Sequence, residues 1–451
     1  MRATETSTAA GQPAPYPPDR AWYAVGVLLL ATIVGYVDRL VMAFLVDPVK
    51  RSLALTDTQA GALNGLAFAA FFVIMGIPMG RLVDTRSRKA VLSACIVAWS
   101  AMTAACGAAW SYVTLFIARM GVGAGEAALN PAAVSMISDM FPRDRVAKPI
   151  GVFTLGIYIG GGLAILLGGQ LIQLFGSMGS VSFGPWQDIE GWRLVFVATG
   201  LPGLLVAALL YFTVREPARG GGMPAASATA SSAASLPEVF AYLRANARLY
   251  SLLFGGFMAF GFYLYGVLGW YPTFLMRTYG LAPADVSWSY GGIFLLAGVG
   301  GALLVGPGTR LLERRGHLDA PILLCLGAMF IGALPSIAGP LMASPAACLA
   351  LFVVTMLCWS LTISLAFACI ALVTPANMRG LMTGTFMVLM NTTGGAFGAV
   401  VVGMLSDHVF GTDGIRYSVA AVACVAFPLA ALLFGLVRPT YRRTMKEIAA
   451  G

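Results

Sequence analysis

The chain has 451 residues, of which 59% are hydrophobic and only 10% charged, with a formal net charge of +9. Ordinary soluble domains carry roughly 25% charged residues, so this composition excludes a soluble globular protein and points to a polytopic membrane protein. The positive balance does not imply a nucleic-acid partner, because the basic residues fall between apolar segments, where they report membrane orientation.

Residues 1–20 are polar and proline-rich and are expected to form a disordered cytoplasmic tail. They lack the short apolar core and small-residue cleavage site of a signal peptide, so the run that follows is read as a retained first helix. Twelve apolar segments follow, at about 21–46, 58–82, 90–109, 112–138, 148–174, 192–213, 249–276, 286–307, 318–340, 345–372, 381–405 and 417–437. Each reaches the roughly 20 residues that a spanning helix needs. The fold class expected is all-α and integral to a membrane. Six helices (residues 21–213) and six more (249–437) are separated by a linker (214–248) and followed by a C-terminal tail (438–451). The linker is Gly-rich, then Ala/Ser-rich, and ends in Leu236–Arg244, which reads as a short amphipathic helix.

With the N-terminus inside, about 21 of the Lys and Arg residues fall on the inner side and about five on the outer. Both termini are then cytoplasmic, and a multi-pass protein of the bacterial inner membrane is expected. The seven cysteines lie in or beside apolar segments without C-x-x-C spacing and read as small core residues. The two histidines, His317 and His408, lie near helix ends. No metal site, catalytic group or cofactor is expected, and an enzyme is correspondingly disfavoured.

The fourth segment carries the sharpest signal. Arg119-Met-Gly-Val-Gly-Ala-Gly-Glu126-Ala places two charges in hydrocarbon, seven residues and two turns apart, so both side chains point the same way. A charge at that depth costs roughly 2.5 kcal/mol or more unless it faces a wet cavity or a partner. Gly121, Gly123 and Gly125 clear two helix faces for close packing. A buried Arg–Glu pair that only fixes helix packing is the alternative reading. In the first segment Tyr36-Val-Asp38-Arg39 adds a second acid–base pair.

The loop after the second segment reads Gly80-Arg-Leu-Val-Asp84-Thr-Arg86-Ser-Arg88-Lys89, and the loop after the eighth reads Gly306-Pro-Gly-Thr-Arg310-Leu-Leu-Glu-Arg314-Arg315. Aligned on the glycines, the basic pairs coincide, although Arg310 stands where the first loop has Asp84. This is the trace of an internal repeat. Gly80, Asp84 and Arg88 are candidates for a conformational latch, with contacts made only when the cavity opens outward; a solvated charge cluster is the alternative.

The Gly80–Lys89 pattern, the Arg119 stretch and the Gly-rich fifth segment (Gly156, Gly160, Gly161, Gly162, Gly168, Gly169) together resemble the major facilitator superfamily. Tyr36-Val-Asp38-Arg39, Arg88-Lys89 and Arg119-x-Gly-x-Gly-x-Gly-Glu126-Ala look more narrowly like its Spinster-type branch, whose members export sphingolipids or lysophospholipids. The narrower likeness sits almost wholly in the first half. It implies two pseudo-two-fold-related six-helix bundles around a central cavity with alternating access.

Counted along the helices, Asp38, Arg39 and Arg119 share a level roughly 10–12 Å from the outer surface, with Glu126 at about 20 Å. Asp38 and Glu126 are the candidate proton carriers, the energy source being a proton gradient. Arg39 and Arg119 are expected to hold the acids ionised and to accept a substrate phosphate or carboxylate. The second half offers aromatic and small polar groups instead, among them Tyr263, Trp359 and Asn391. With Tyr36 and Tyr158 these complete the candidate substrate site. The expected function is proton-coupled secondary transport of an anionic amphiphile by a monomer in the bilayer. The alternatives are a small organic anion (sugar acid or aromatic acid) and multidrug export.

Overall fold

The computed structural model describes residues 16–142, 145–177, 180–183, 186–219, 236–375 and 378–450. Most of the expected N-terminal tail and the Gly/Ala/Ser-rich part of the linker lie outside these residues. The fold is almost entirely helical, and its membrane segments follow the sequence in order.

The first segment is α1 (Pro18–Leu40) and α2 (Met42–Leu53), interrupted at Val41, and the second is α3 (Asp57–Asn64) and α4 (Leu66–Thr85), interrupted at Gly65. The third is α5 (Arg88–Gly107), started by the Ser87 hydroxyl, which accepts from the Ala90 amide. The fourth divides into α6 (Tyr112–Glu126) and α7 (Leu129–Met140). Pro131 explains that division, since its ring opposes the carbonyl four residues back, at Ala127. The fifth is α8 (Ala147–Ser177) and the sixth α9 (Gly191–Thr213). Between them an antiparallel ribbon, β1 (Ser180–Phe183) with β2 (Trp186–Glu190), adds a strand pair to the expected all-α fold.

The surface helix α10 (Leu236–Ala245) leads into α11 (Ala247–Tyr279), α12 (Pro283–Arg314), α13 (Ala320–Ala338) and α14 (Pro345–Val373). The eleventh segment is α15 (Arg379–Met390), a π-helical stretch (Asn391–Ala396) and α16 (Phe397–Leu405). The twelfth is α17 (Ile415–Ala450), which carries the helix through the expected C-terminal tail. Among the described residues eleven stretches are long and apolar enough to cross a membrane as they stand; the divided α6–α7 supplies the remaining segment.

Each half has its own core. One gathers Leu28, Trp99, Met136 and Phe196; the other gathers Phe257, Tyr263, Trp359 and Phe434 and reaches Phe44 and Ile165 of the first half where the halves meet. They meet most tightly at the end opposite the chain termini. There Gly61 of α3 lies against the Ala399 carbonyl and Gly403 of α16 against that of Asp57, so close that a Cβ at either position would collide with backbone.

Candidate functional site

At that far end the closure is polar as well as packed. Asp57, the first residue of α3, is fully buried; its carboxylate accepts from Ser406 (2.7 Å), from Lys50 and from both terminal nitrogens of Arg277 (2.8 and 2.9 Å). Arg277 also grips Asp47 (2.6 Å). In the other direction, Asp407 of the second half accepts the first amides of α3, Asp57 (2.9 Å) and Thr58 (2.6 Å), and so caps a helix of the first half. The sequence marked none of these partnerships. The capping box of Thr56 and Gln59 signals a helix start, but nothing local couples it to residues about 350 positions away.

A cavity of about 220 Å³ lies between the halves, on the terminal side of this closure. Adjacent residues on a helix point about 100° apart, and this separates the two charges of α1. Arg39 lines the cavity, whereas Asp38 is fully buried among the helices of the first bundle. The Arg39 guanidinium donates to Glu126 Oε2 at 2.7 Å and lies over the rings of Phe68 (4.3 Å), Tyr36 (5.0 Å) and Phe72 (5.4 Å). Its side chain is 19% exposed against 2% for Glu126, so the arginine is the member of the pair that a ligand meets. Phe68 and Phe72 escaped the sequence reading because single aromatics in an apolar helix carry no distinguishing pattern.

Arg119 corrects the expectation of a two-arginine anion site in this conformation. It is fully buried, and its nitrogens are turned to backbone: Nη1 to the Asp38 carbonyl (3.1 Å), Nη2 to that of Arg39 (3.3 Å) and Nε to that of Leu63 (3.4 Å). These carbonyls flank the interruptions at Val41 and Gly65. Broken helices are tolerated at membrane depth where neighbouring groups satisfy the backbone, and Arg119 does so for two segments at once. The glycines between Arg119 and Glu126 allow the approach, Gly123 packing against the Phe68 carbonyl of α4 and Gly125 against Trp99 of α5. Asp38 has no ion-pair partner; Trp99 and Thr103 face its carboxylate, but no well-aligned hydrogen bond joins them to it.

From the second half, Trp359, Tyr265 and Asn391 reach the cavity. The Asn391 side chain donates to the Met387 carbonyl (2.9 Å) and accepts from Tyr265 (3.4 Å), where the eleventh segment loosens into its π-helical stretch. Tyr158 lines the wall from α8 and lies 3.4 Å from Ser364. Tyr263 does not line the cavity: it is buried behind Trp359, edge-on to that ring and to Phe427 (centroids 6.2 and 5.0 Å). It positions the wall.

The latch candidates part company. Gly80 has open space above it, and Asp84 is exposed. Arg88 is buried and does not pair with Asp84; it binds Asp139 at the end of α7 and, in the first residues of the linker, Glu216 (2.9 Å) and the Pro217 carbonyl, so none of its partners lies in the second half. Arg219 donates to the carbonyls of Val83 (2.8 Å) and Arg86 (2.7 Å), so the start of the linker is strapped across the loop. Burial alone would raise the Glu216 carboxyl. Hydrogen bonds from Ser87, the Lys89 amide and Arg88 outweigh it and hold the carboxyl below its ordinary value.

Comparison with known proteins agrees with this architecture. Residues 27–399 match the family described as Major Facilitator Superfamily. An "MFS-type efflux pump" of Mycolicibacterium smegmatis is 29% identical over 96% of each chain. A "Hexuronate transporter" of Bacillus subtilis is 27% identical over 91% of this chain and 93% of that one. A "Sphingosine-1-phosphate transporter" of Danio rerio is 25% identical over 68% of this chain, which spans 60% of that protein's length. The crystal structure of a bacterial homologue of the human lysosomal transporter Spinster, described as inward-facing and unoccupied, superposes with a TM-score of 0.77 over 95% of this chain and 98% of its own, at 24% identity.

Proposed function

The chain belongs to the Major Facilitator Superfamily, and from that premise we propose that it carries an anionic amphiphile, of lysophospholipid or sphingoid-phosphate chemistry, by proton-coupled alternating access. In this reading the termini lie in the cytoplasm of a bacterial cell with the protein in its inner membrane, and a cavity closed at the far end is an inward-facing one. The observation that carries the substrate reading is the cavity wall. Arg39 is its exposed cation, and nearly everything around it is apolar or aromatic, from Phe68 and Leu268 to Met356 and Phe386. A guanidinium partly occupied by Glu126 can exchange that partner for a phosphate, to which its bonds are charge-assisted. The released Glu126, together with Asp38 behind it, is then the acid pair available to take up protons. The apolar wall suits the tail, at about 0.8 kcal/mol per methylene fully removed from water.

The hexuronate transporter, similar along nearly the whole chain, favours a second reading in which the same arginine takes the carboxylate of a small sugar acid. Equilibrium binding of a lysophosphatidate series to the purified protein, beside glucuronate and an aromatic acid, separates the two. Affinity that rises with chain length and collapses in Arg39→Ala is expected; equal or better binding of the hydrophilic acids would replace the lipid reading with the second one.

A further inference from the structure

Outside the transport cavity, on the bilayer-facing side of the second half, a groove runs between α12 and α13 with α14 as its floor. Leu304 and Leu312, two turns apart on α12, form one wall, Leu323 and Ile331 of α13 the other, and Leu357 and Leu361 the base. Gly327 of α13 leaves it open, since a Cβ there would meet nothing within 4 Å. From the end of α12 back to Leu304 is about 15 Å, half of a hydrocarbon core. The groove therefore has the depth of one leaflet, and apart from Cys358 in its floor its walls are aliphatic.

Its mouth is built differently. After Arg314 the chain closes α12 with a Schellman turn: Gly316 takes φ +81°, its amide donates to the Glu313 carbonyl (2.9 Å) and the His317 amide to that of Leu312 (3.1 Å). That turn folds His317 back beside Leu312, so that the imidazole lines the groove. Its Nδ1 is buried and has no hydrogen-bond partner. Directly before this turn in the chain, at the same end of α12, stand the exposed Arg314 and Arg315, with Glu313 beside them also exposed; Arg310 is turned away, its Nε donating to the Gly306 carbonyl (3.3 Å). Asp319, the next acid along the chain, is buried and neutralised by Arg438 (2.6 Å).

We propose that this groove is a binding site for an anionic phospholipid, with one acyl chain between α12 and α13 and the phosphate at the mouth, held by Arg314 and Arg315 and by His317. An apolar slot one leaflet deep that ends beside two arginines and an unsatisfied ring nitrogen is complementary to a diacyl phosphate and to neither a soluble anion nor a neutral lipid. Basic pockets between membrane helices hold acidic headgroups for the same reason, each cation contributing about a fivefold preference. The site is separate from the cavity and does not depend on what the cavity carries.

The test is lipid retention by the full-length protein reconstituted in vesicles of equal phosphatidylglycerol and phosphatidylcholine, extracted in mild detergent and weighed by native mass spectrometry. Retained phosphatidylglycerol should exceed phosphatidylcholine. The excess should fall on the order of twentyfold in Arg314→Gln/Arg315→Gln. It should also fall in Gly327→Leu, which fills the slot without touching a charge and stands as the second variant should the arginine pair prove unstable. Arg39→Ala/Glu126→Gln, which removes the cavity's ion pair as a unit, should leave it unchanged, and glycerophosphate, which has the headgroup but no chain, should not displace the lipid. Equal retention of the two lipids, retention that survives Gly327→Leu, or displacement by glycerophosphate would each overturn the proposal.

Discussion

The two halves of the molecule share a fold and divide the chemistry. In the first half the charges sit at membrane depth and are spent on one another and on backbone: Arg39 on Glu126, Arg119 on three carbonyls, with Asp38 left unpaired. The second half meets the same cavity with rings and amides, Trp359 backed by Tyr263 and Phe427, and Asn391 tied to Tyr265. A charge buried in a membrane needs a partner in every state it visits, so a charged half is the one whose contacts must rearrange with each ligand or proton. An aromatic half can hold its shape. The contrast teaches that the charges able to change partners lie in the first bundle, which the proposed function makes the seat of coupling, while the second supplies a wall of fixed shape.

The change that strains this contrast most is Arg39→Ala. It leaves Glu126 buried without its partner, a loss of about 3–5 kcal/mol, and removes the cavity's cation. Thermal unfolding in detergent should show a large drop in Arg39→Ala that Arg39→Ala/Glu126→Gln largely restores, while anionic-ligand binding stays lost in both. If the double variant were no more stable than the single one, the pair would not be the unit described.

Next in size is the far-end closure, where charge again joins the halves. Arg277→Ala removes the ion pairs to Asp47 and Asp57 and should move the population toward a far-end-open state by about 1–3 kcal/mol. Spin-label distances across the far end should lengthen in this variant. Unchanged distances would mean that the glycine-mediated packing holds the halves by itself.

Trp359→Leu probes the aromatic side. Affinity for long-chain ligands should weaken by about 1 kcal/mol, with little change for short ones and none in stability beyond that of a trimmed ring. A loss as great as that of Arg39→Ala would erase the division of labour.

The smallest effect concerns the strap at the terminal end. Because the Glu216 carboxyl is held below its ordinary value, its stabilisation is complete above about pH 4.3 and is lost as the pH falls below that through the lower folded value. A spin label at position 86 should therefore become more mobile on acidification in the wild-type background. In Glu216→Gln that transition should be absent; its persistence would place the acid sensitivity elsewhere.

Much of this was legible in the residues. Long apolar runs with basic loops can satisfy their backbone in a bilayer only as helices, so the segments, their order and the family followed from composition and a few motifs. The intramembrane charges announced a site because hydrocarbon makes them costly wherever they fall. Which way each charge points was not legible. Asp38 and Arg39 are neighbours in sequence and are separated by a helical turn angle; Arg119 looked like a ligand group until the interruptions at Val41 and Gly65 supplied carbonyls for it. The far-end network of Asp57, Arg277 and Asp407 joins residues hundreds of positions apart, and Tyr263 lost its place on the cavity wall to the ring in front of it. Sequence by itself determined what had to be buried in the membrane, because transfer cost depends on residue type alone; only the tertiary structure decided which partner each buried group found, because a hydrogen bond depends on distances that local chain order does not set.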